Sequence, residues 1–278
     1  MNNNKQKKIK ISIITIVYND VYYIEKTMKS VLDQNYSNIE YILIDGNSSD
    51  GTVDIIKKYI SVFEKKGITT FFLSEPDKGI SDAFNKGIRH ATGDIIGLIN
   101  SGDGLMPDAL KILVENWKSE DEIVYGKTLA IDDKYNLRYL RQIPDHQDLS
   151  KMVYTGMIFT HQSAFVKREV YNQFGLYDIS FRYIMDLDLF IHFYNSGVQF
   201  RYIDELLVSM LCNGISSRAS IPLIKEKIRI SKKYNGSPAV CIWLKYFINI
   251  PKRMLTDLLR KNPRLWYLLI GRRRCVDK

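Results

Sequence analysis

Apolar residues fall along this chain in blocks of two kinds. KISIITIV (10–17), IEYILID (39–45), TTFFLSE (69–75) and DIIGLIN (94–100) are continuous, β-rich runs, as expected of strands covered on both faces. Between them the period changes to that of a helix. Val21–Gln34 sets Ile24, Met28, Val31 and Leu32 on one stripe, and Thr52–Lys65 does the same with Val53, Ile56, Ile60 and Phe63. Ile80–Ala91 is a third helix, and Gly46–Asp50 a turn cluster. Strand–helix alternation with short loops predicts an α/β fold whose mostly parallel central sheet is flanked by helices. Right-handed crossovers then place the strand C-termini along one edge, where ligands bind in open sheets.

Beyond residue 105 the pattern loosens. Pro107–Trp117 reads as a helix, and Ile123–Ala130 and Leu137–Gln142 as strands paired about the DDKYN turn. Lys167–Phe174, Asp186–Ser196 and Ile221–Tyr234 read as helices, with a strand over Val198–Met210.

The polar residues collect at the predicted edge. Strand one ends in Thr15, Tyr18, Asn19 and Asp20, and strand two in Asp45, Asn47, Ser48, Ser49 and Asp50. Strand three is followed by Glu75, Asp77 and Lys78, and strand four by Asn100, Ser101 and Asp103. One carboxylate after a strand is ordinarily a helix cap, and Asp50 before Thr52 reads that way. Carboxylates at four strand ends suggest a site. No GxGxxG follows the first strand, and neither GxxxxGK[ST], GxSxG nor HExxH occurs. An acidic edge without a glycine phosphate loop points to a divalent cation carrying phosphate charge.

Composition sets the surroundings. At 278 residues, 45% hydrophobic and 26% charged, the chain is neither disordered nor low-complexity. Three cysteines are too few for a disulfide framework, and neither a signal peptide nor a run long enough to span a bilayer is visible, so a cytoplasmic protein is expected. The net charge of +9 is unevenly placed. Residues 217–278 hold 16 Lys and Arg against 3 Asp and Glu, which leaves 24 basic and 28 acidic residues in 1–216. That tail interleaves Trp243, Tyr246, Phe247, Trp266 and Tyr267 with basic residues, the pattern of amphipathic helices lying on an anionic membrane surface. A helix pair packed on the body is the alternative, and no nucleic-acid-binding signature accompanies the charge. The expected division is 1–216 for a catalytic domain and 217–278 for a basic helical extension.

The strings SIITIVYND, DGNSSDGT and EPDKGISDAFNKGIRHATGDIIGLINSGD resemble the inverting nucleotide-sugar glycosyltransferases of family 2, in the branch that builds bacterial capsule, O-antigen and exopolysaccharide. The resemblance covers about residues 10–215 and implies the GT-A fold. It implies that Asp45 meets a base N–H, uracil's for a UDP-sugar, with Thr15, Tyr18 and Asn19 lining the base pocket. Asp77 and Lys78 match the next donor loop, Asn85 a residue securing it, and Ser101 and Gly102 the donor loop after strand four. The family's Asp-x-Asp-Asp is here Asn100-Ser101-Gly102-Asp103, so Asp103 is the carboxylate expected on Mn²⁺ or Mg²⁺. RYIMDLDLFIHF (182–193) resembles the segment bearing the catalytic base, which falls on Asp186, with Asp188 two residues on. His161 and Gln162, in THQSAFVKREVYNQFGLYD, match the donor or acceptor side, and Ser216, in LCNGISS, a loop closing over the diphosphate. The implied reaction is single transfer of a sugar to a lipid-linked saccharide at the inner face of the plasma membrane, since the QxxRW signature of processive synthases is absent. The competing readings are a nucleotidyltransferase, an inactive nucleotide-binding subunit of the same fold, and a glycosidase; Asp45 and Asp103 argue against the last.

Overall fold

A computed structural model describes residues 8–134, 136–141, 148–152, 156–212 and 221–234. Ser216 and the tail beyond Tyr234 lie outside these described residues, so the expectations placed on them stay at the level of sequence. The chain divides into two compact units, Met1–Ser217 and Arg218–Lys278.

The first unit is built on one sheet. Strands β1 (Ile11–Val17), β2 (Ile39–Asp45), β3 (Thr69–Ser74) and β4 (Ile95–Asn100) run parallel in the order β3-β2-β1-β4. Their connections are α1 (Ile24–Leu32), α2 (Thr52–Lys65) and α3 (Ile80–His90). β1 and β2 are buried along their whole length, which is why their sequences are predominantly apolar and not alternating. On one face Met28 and Val31 of α1 and Ile56 and Phe63 of α2 join Ile13, Leu43 and Ile99 in a single core. α3 covers the opposite face, close enough to Ile14 and Ile44 that Gly87 has no room for a side chain.

The second half extends and curls the sheet. After the two-residue strand β5 (Gly104–Leu105) come α4 (Ala109–Asn116), β6 (Ile123–Ile131) and β7 (Leu137–Arg141). They are followed by β8 (Ala164–Lys167), α5 (Arg168–Phe174), α6 (Met185–Asn195) and β9 (Phe200–Leu211). The order continues β4-β8-β6-β9-β5, with β7 paired to β6. β8 enters antiparallel between β4 and β6, an element the sequence pattern does not announce. β5 follows β4 directly along the chain yet pairs with Val208 and Ser209 of β9, so the sheet bends back on itself. That bend brings Leu211, the last residue of β9, against the loop that follows β4. The fold is the expected α/β arrangement of a mostly parallel, curled sheet flanked by helices. In the second unit α7 spans Ile221–Lys233. Among the described residues no helix is long and apolar enough to cross a membrane.

Candidate active site

Parallel register lines up the C-terminal edge. Val17 of β1 stands beside Asp45 of β2, Asp45 beside Ser74 of β3, and Ile16 beside Asn100 of β4. The polar loops that follow these four strands therefore share one rim.

Asp45 is fully buried. Its Oδ2 accepts the Ser48 N–H at 2.9 Å and the Ser74 hydroxyl at 2.6 Å, while Oδ1 has no hydrogen-bond partner among the described residues. A buried acceptor without a donor costs about 1–3 kcal/mol. Asn19, at φ 47°, ties two loops together: its N–H donates to Ser48 Oγ at 2.7 Å, and its Oδ1 accepts the Ser49 N–H at 2.9 Å. The Tyr18 ring is 65% exposed and lies over Gly46. Asp77 closes the same corner. Its Oδ1 accepts the Gly79 N–H at 2.8 Å, and its Oδ2 lies 2.6 Å from where a Cβ on Gly46 would stand. Any other residue at position 46 would evict that carboxylate. Lys78 is exposed on the same loop.

Thr15 departs from expectation. It is fully buried, and its hydroxyl accepts a hydrogen bond from Tyr41 at 3.0 Å inside the core. That bond braces β1 against β2.

The loop after β4 is held from two sides. Thr27 of α1 receives the Gly102 N–H at 2.9 Å and donates its hydroxyl to the Asp103 carbonyl at 2.7 Å. Gly102 sits at φ +93°, a conformation that favours glycine. Asp103 turns inward and is 6% exposed. Its Oδ1 accepts the Leu211 N–H at 2.9 Å, and its Oδ2 accepts the side-chain amides of Gln162 at 2.8 Å and Asn100 at 3.2 Å. Burial pushes the Asp103 carboxyl up to about 7, against the pull of those donors. Asp20, half-buried nearby, is raised by burial and by the charge of Asp50, with the Ser101 hydroxyl acting the other way.

The divalent ion expected on Asp103 does not fit this arrangement. Both carboxylate oxygens are engaged inside the protein, and the neighbouring positions 100 and 102 carry an amide and no side chain. Among the described residues no cluster of three or more His, Cys, Asp or Glu is placed to hold a metal.

Gln162 leads from Asp103 towards Asp186. Its neighbour His161 is enclosed, with its ring edge-on to Phe84 at 5.4 Å and Nε2 unpartnered among the described residues. Burial lowers the imidazole pKa while the Asp186 charge opposes it. Asp186 opens α6, half-buried, with Oδ1 accepting the Leu187 N–H at 2.9 Å. Arg141 and Tyr177 also feel its charge. The Arg141 guanidinium donates to the Met157 carbonyl at 2.8 Å. Asp103 thus holds Gln162, while the Asp186 charge acts on the adjacent His161. Asp188 is buried, 3% exposed, and does not share the half-open setting of Asp186. Arg141 and Tyr177 were invisible to sequence reasoning because distant segments deliver them.

α3 is tied to the segment that leads into α6. Asn85 and Tyr177 exchange backbone–amide hydrogen bonds at 2.8 and 2.9 Å, and Ser81 donates to the Phe181 carbonyl at 3.0 Å.

Comparison with known proteins identifies the family and the fold. The profile of the family described as Glycosyl transferase family 2 matches residues 12–207, and the chain belongs to that family. An uncharacterized glycosyltransferase of Mycobacterium tuberculosis, Rv1514c, is 32% identical over 183 residues, covering 65% of this chain and 67% of its own. The putative glycosyltransferase EpsE of Bacillus subtilis is 26% identical over 201 residues, 71% of each chain. Among solved structures, S. aureus TarS 1–349 in complex with UDP-GlcNAc superposes with TM-score 0.63 at 16% identity, covering 81% of this chain and 66% of that one. The mannosyltransferase PcManGT from Pyrobaculum calidifontis, in complex with GDP-Man and Mn²⁺, gives 0.57 at 14% identity over 95% and 84%. At these identities the two structures establish the GT-A fold. The chain spans just under two thirds of the TarS fragment's length.

Proposed function

We propose that the protein transfers one sugar, with inversion, from a nucleoside-diphosphate donor, a UDP-sugar, to a lipid-linked saccharide in bacterial surface polysaccharide biosynthesis. The observation that carries this reading is the shared rim. Asp45, on that rim, has an unfilled acceptor, and Asp186, half-open in the first turn of α6, is close enough to His161 for its charge to act on that ring. In this reading Asp45 Oδ1 takes the base N–H, Tyr18 covers the base, and the exposed Lys78 meets diphosphate charge. Asp186 removes the proton from the acceptor hydroxyl as its oxygen attacks the anomeric carbon. The bond from that carbon to the diphosphate breaks, and the nucleoside diphosphate leaves with the electron pair. One displacement inverts the centre. His161, held neutral by burial, and Arg141 shape the field around Asp186.

Related proteins support the polysaccharide setting: EpsE is named a putative glycosyltransferase, and TuaG of Bacillus subtilis a putative teichuronic acid biosynthesis glycosyltransferase. A lipid-linked acceptor at the inner leaflet agrees with the composition of the basic aromatic tail.

A thermal-shift panel of UDP-, GDP- and dTDP-sugars tests the donor, because binding to the folded state alone raises stability by mass action. One nucleotide series should stand out. No shift from any of them would defeat the reading.

A further inference from the structure

We infer that Asp103 is a positioning residue, a clamp that fixes the His161–Gln162 dipeptide and the end of β9, and not a cation ligand. The inference rests on the nucleotide-sugar reading for its context, and on geometry for its content.

Four observations converge. The backbone of the loop is fixed by Thr27, which bonds to the Gly102 N–H and the Asp103 carbonyl. The side chain is fixed by three N–H donors from three separate segments: Leu211, Gln162 and Asn100. Presenting this carboxylate to a diphosphate-bound ion would break those bonds. The part-buried Leu211 N–H and the buried Gln162 amide would then lose their acceptor. The preceding residues offer no substitute, since Gly102 has no side chain and Asn100 itself points an amide at Asp103. Mg²⁺ or Mn²⁺ in a nucleotide site needs at least one outward carboxylate besides phosphate oxygens. The stretch from 100 to 103 supplies none.

The inward carboxylate has a different use. Oδ2 receives Gln162, whose neighbour His161 feels the Asp186 charge, and Oδ1 receives the residue that ends β9. Asp103 therefore joins three segments, the loop after β4, the 161–162 turn and the end of the long strand, and the second of these carries His161, on which the Asp186 charge acts.

Two experiments test this. The first is a stability cycle in EDTA on wild type, Asp103→Asn, Gln162→Glu and the double variant. Gln162→Glu sets carboxylate against carboxylate and should lower the melting temperature. The double variant reverses donor and acceptor and should regain most of that loss. A double variant no better than the sum of its single changes would overturn the clamp, because non-additivity is what contact predicts. The second experiment measures UDP and GDP affinity for wild type and Asp103→Asn, each with MnCl₂ and with EDTA. The clamp predicts that Mn²⁺ changes affinity by the same factor in both proteins, within about threefold. A tenfold Mn²⁺ enhancement in wild type that vanishes in Asp103→Asn would overturn it, a difference of about 1.4 kcal/mol. Binding of neither nucleotide under any condition would defeat the donor reading instead, and the stability cycle would still decide the clamp.

Discussion

Asn85 and Tyr177 hold each other by two hydrogen bonds, with the Asn85 amide donating to the Tyr177 carbonyl and its Oδ1 accepting the Tyr177 N–H. The pair fastens α3, which follows the donor loop, to the segment that leads into Asp186. The helix α3 thereby helps set the position of the segment that carries the proposed base.

Asn85→Ala removes both bonds and leaves a buried backbone N–H and C=O without partners. Stability should fall by about 1–3 kcal/mol for each group. Because the change lies behind Asp186, kcat should drop more than tenfold while donor affinity stays within about threefold. Steady-state kinetics and calorimetric titration with the donor separate the two.

Gly46→Ala puts a methyl 2.6 Å from Asp77 Oδ2 and 3.2 Å from the Tyr18 ring. Both groups belong to the proposed base pocket. Donor KM should rise at least several-fold and stability should fall by about 1–3 kcal/mol. Asp77→Ala in the same chain makes room, so the melting temperature of the double variant should exceed that of Gly46→Ala alone.

Acid sensitivity should trace to Glu40. Burial by itself would raise this carboxyl, but donors from Ser12, from the Thr92 backbone and hydroxyl, and from Lys10 outweigh it and hold it at about 2, below the usual 4.5. A depressed folded pKa gives stability that is present above the unfolded value and is lost as pH falls through the folded one. Glu40→Gln should therefore melt below wild type at pH 7, and the gap should narrow between about pH 4.5 and pH 2. Melting curves across that range check the sign; a gap that widens on acidification would contradict it.

Much of this architecture was legible in the chain. β2 and α2 begin and end where their apolar patterns do, because each is a complete buried run or stripe bounded by polar residues. β5 and β8, at two and four residues, are too short to carry a period, and β8 owes its place to β4 and β6 on either side. The rim residues could be named from sequence because a parallel sheet fixes which end of each strand they occupy. Side-chain direction could not. Thr15 lies in the right strand but turns to Tyr41, and Asp103 lies in the right loop but turns to Gln162 and Leu211. Both directions are set by neighbours from remote parts of the chain. Arg141 and Tyr177 come within the electrostatic influence of Asp186 for the same reason, since only the folded chain brings those segments together.

The central claim is that the Asp186 carboxylate deprotonates the acceptor while other residues hold the donor. Its most direct test compares wild type with Asp186→Asn for acceptor-dependent release of nucleoside diphosphate, alongside donor affinity. The account predicts that release falls by about 10²–10⁴-fold, the range of a lost general base, with donor affinity within about threefold of wild type. Release by Asp186→Asn at the wild-type rate would contradict it.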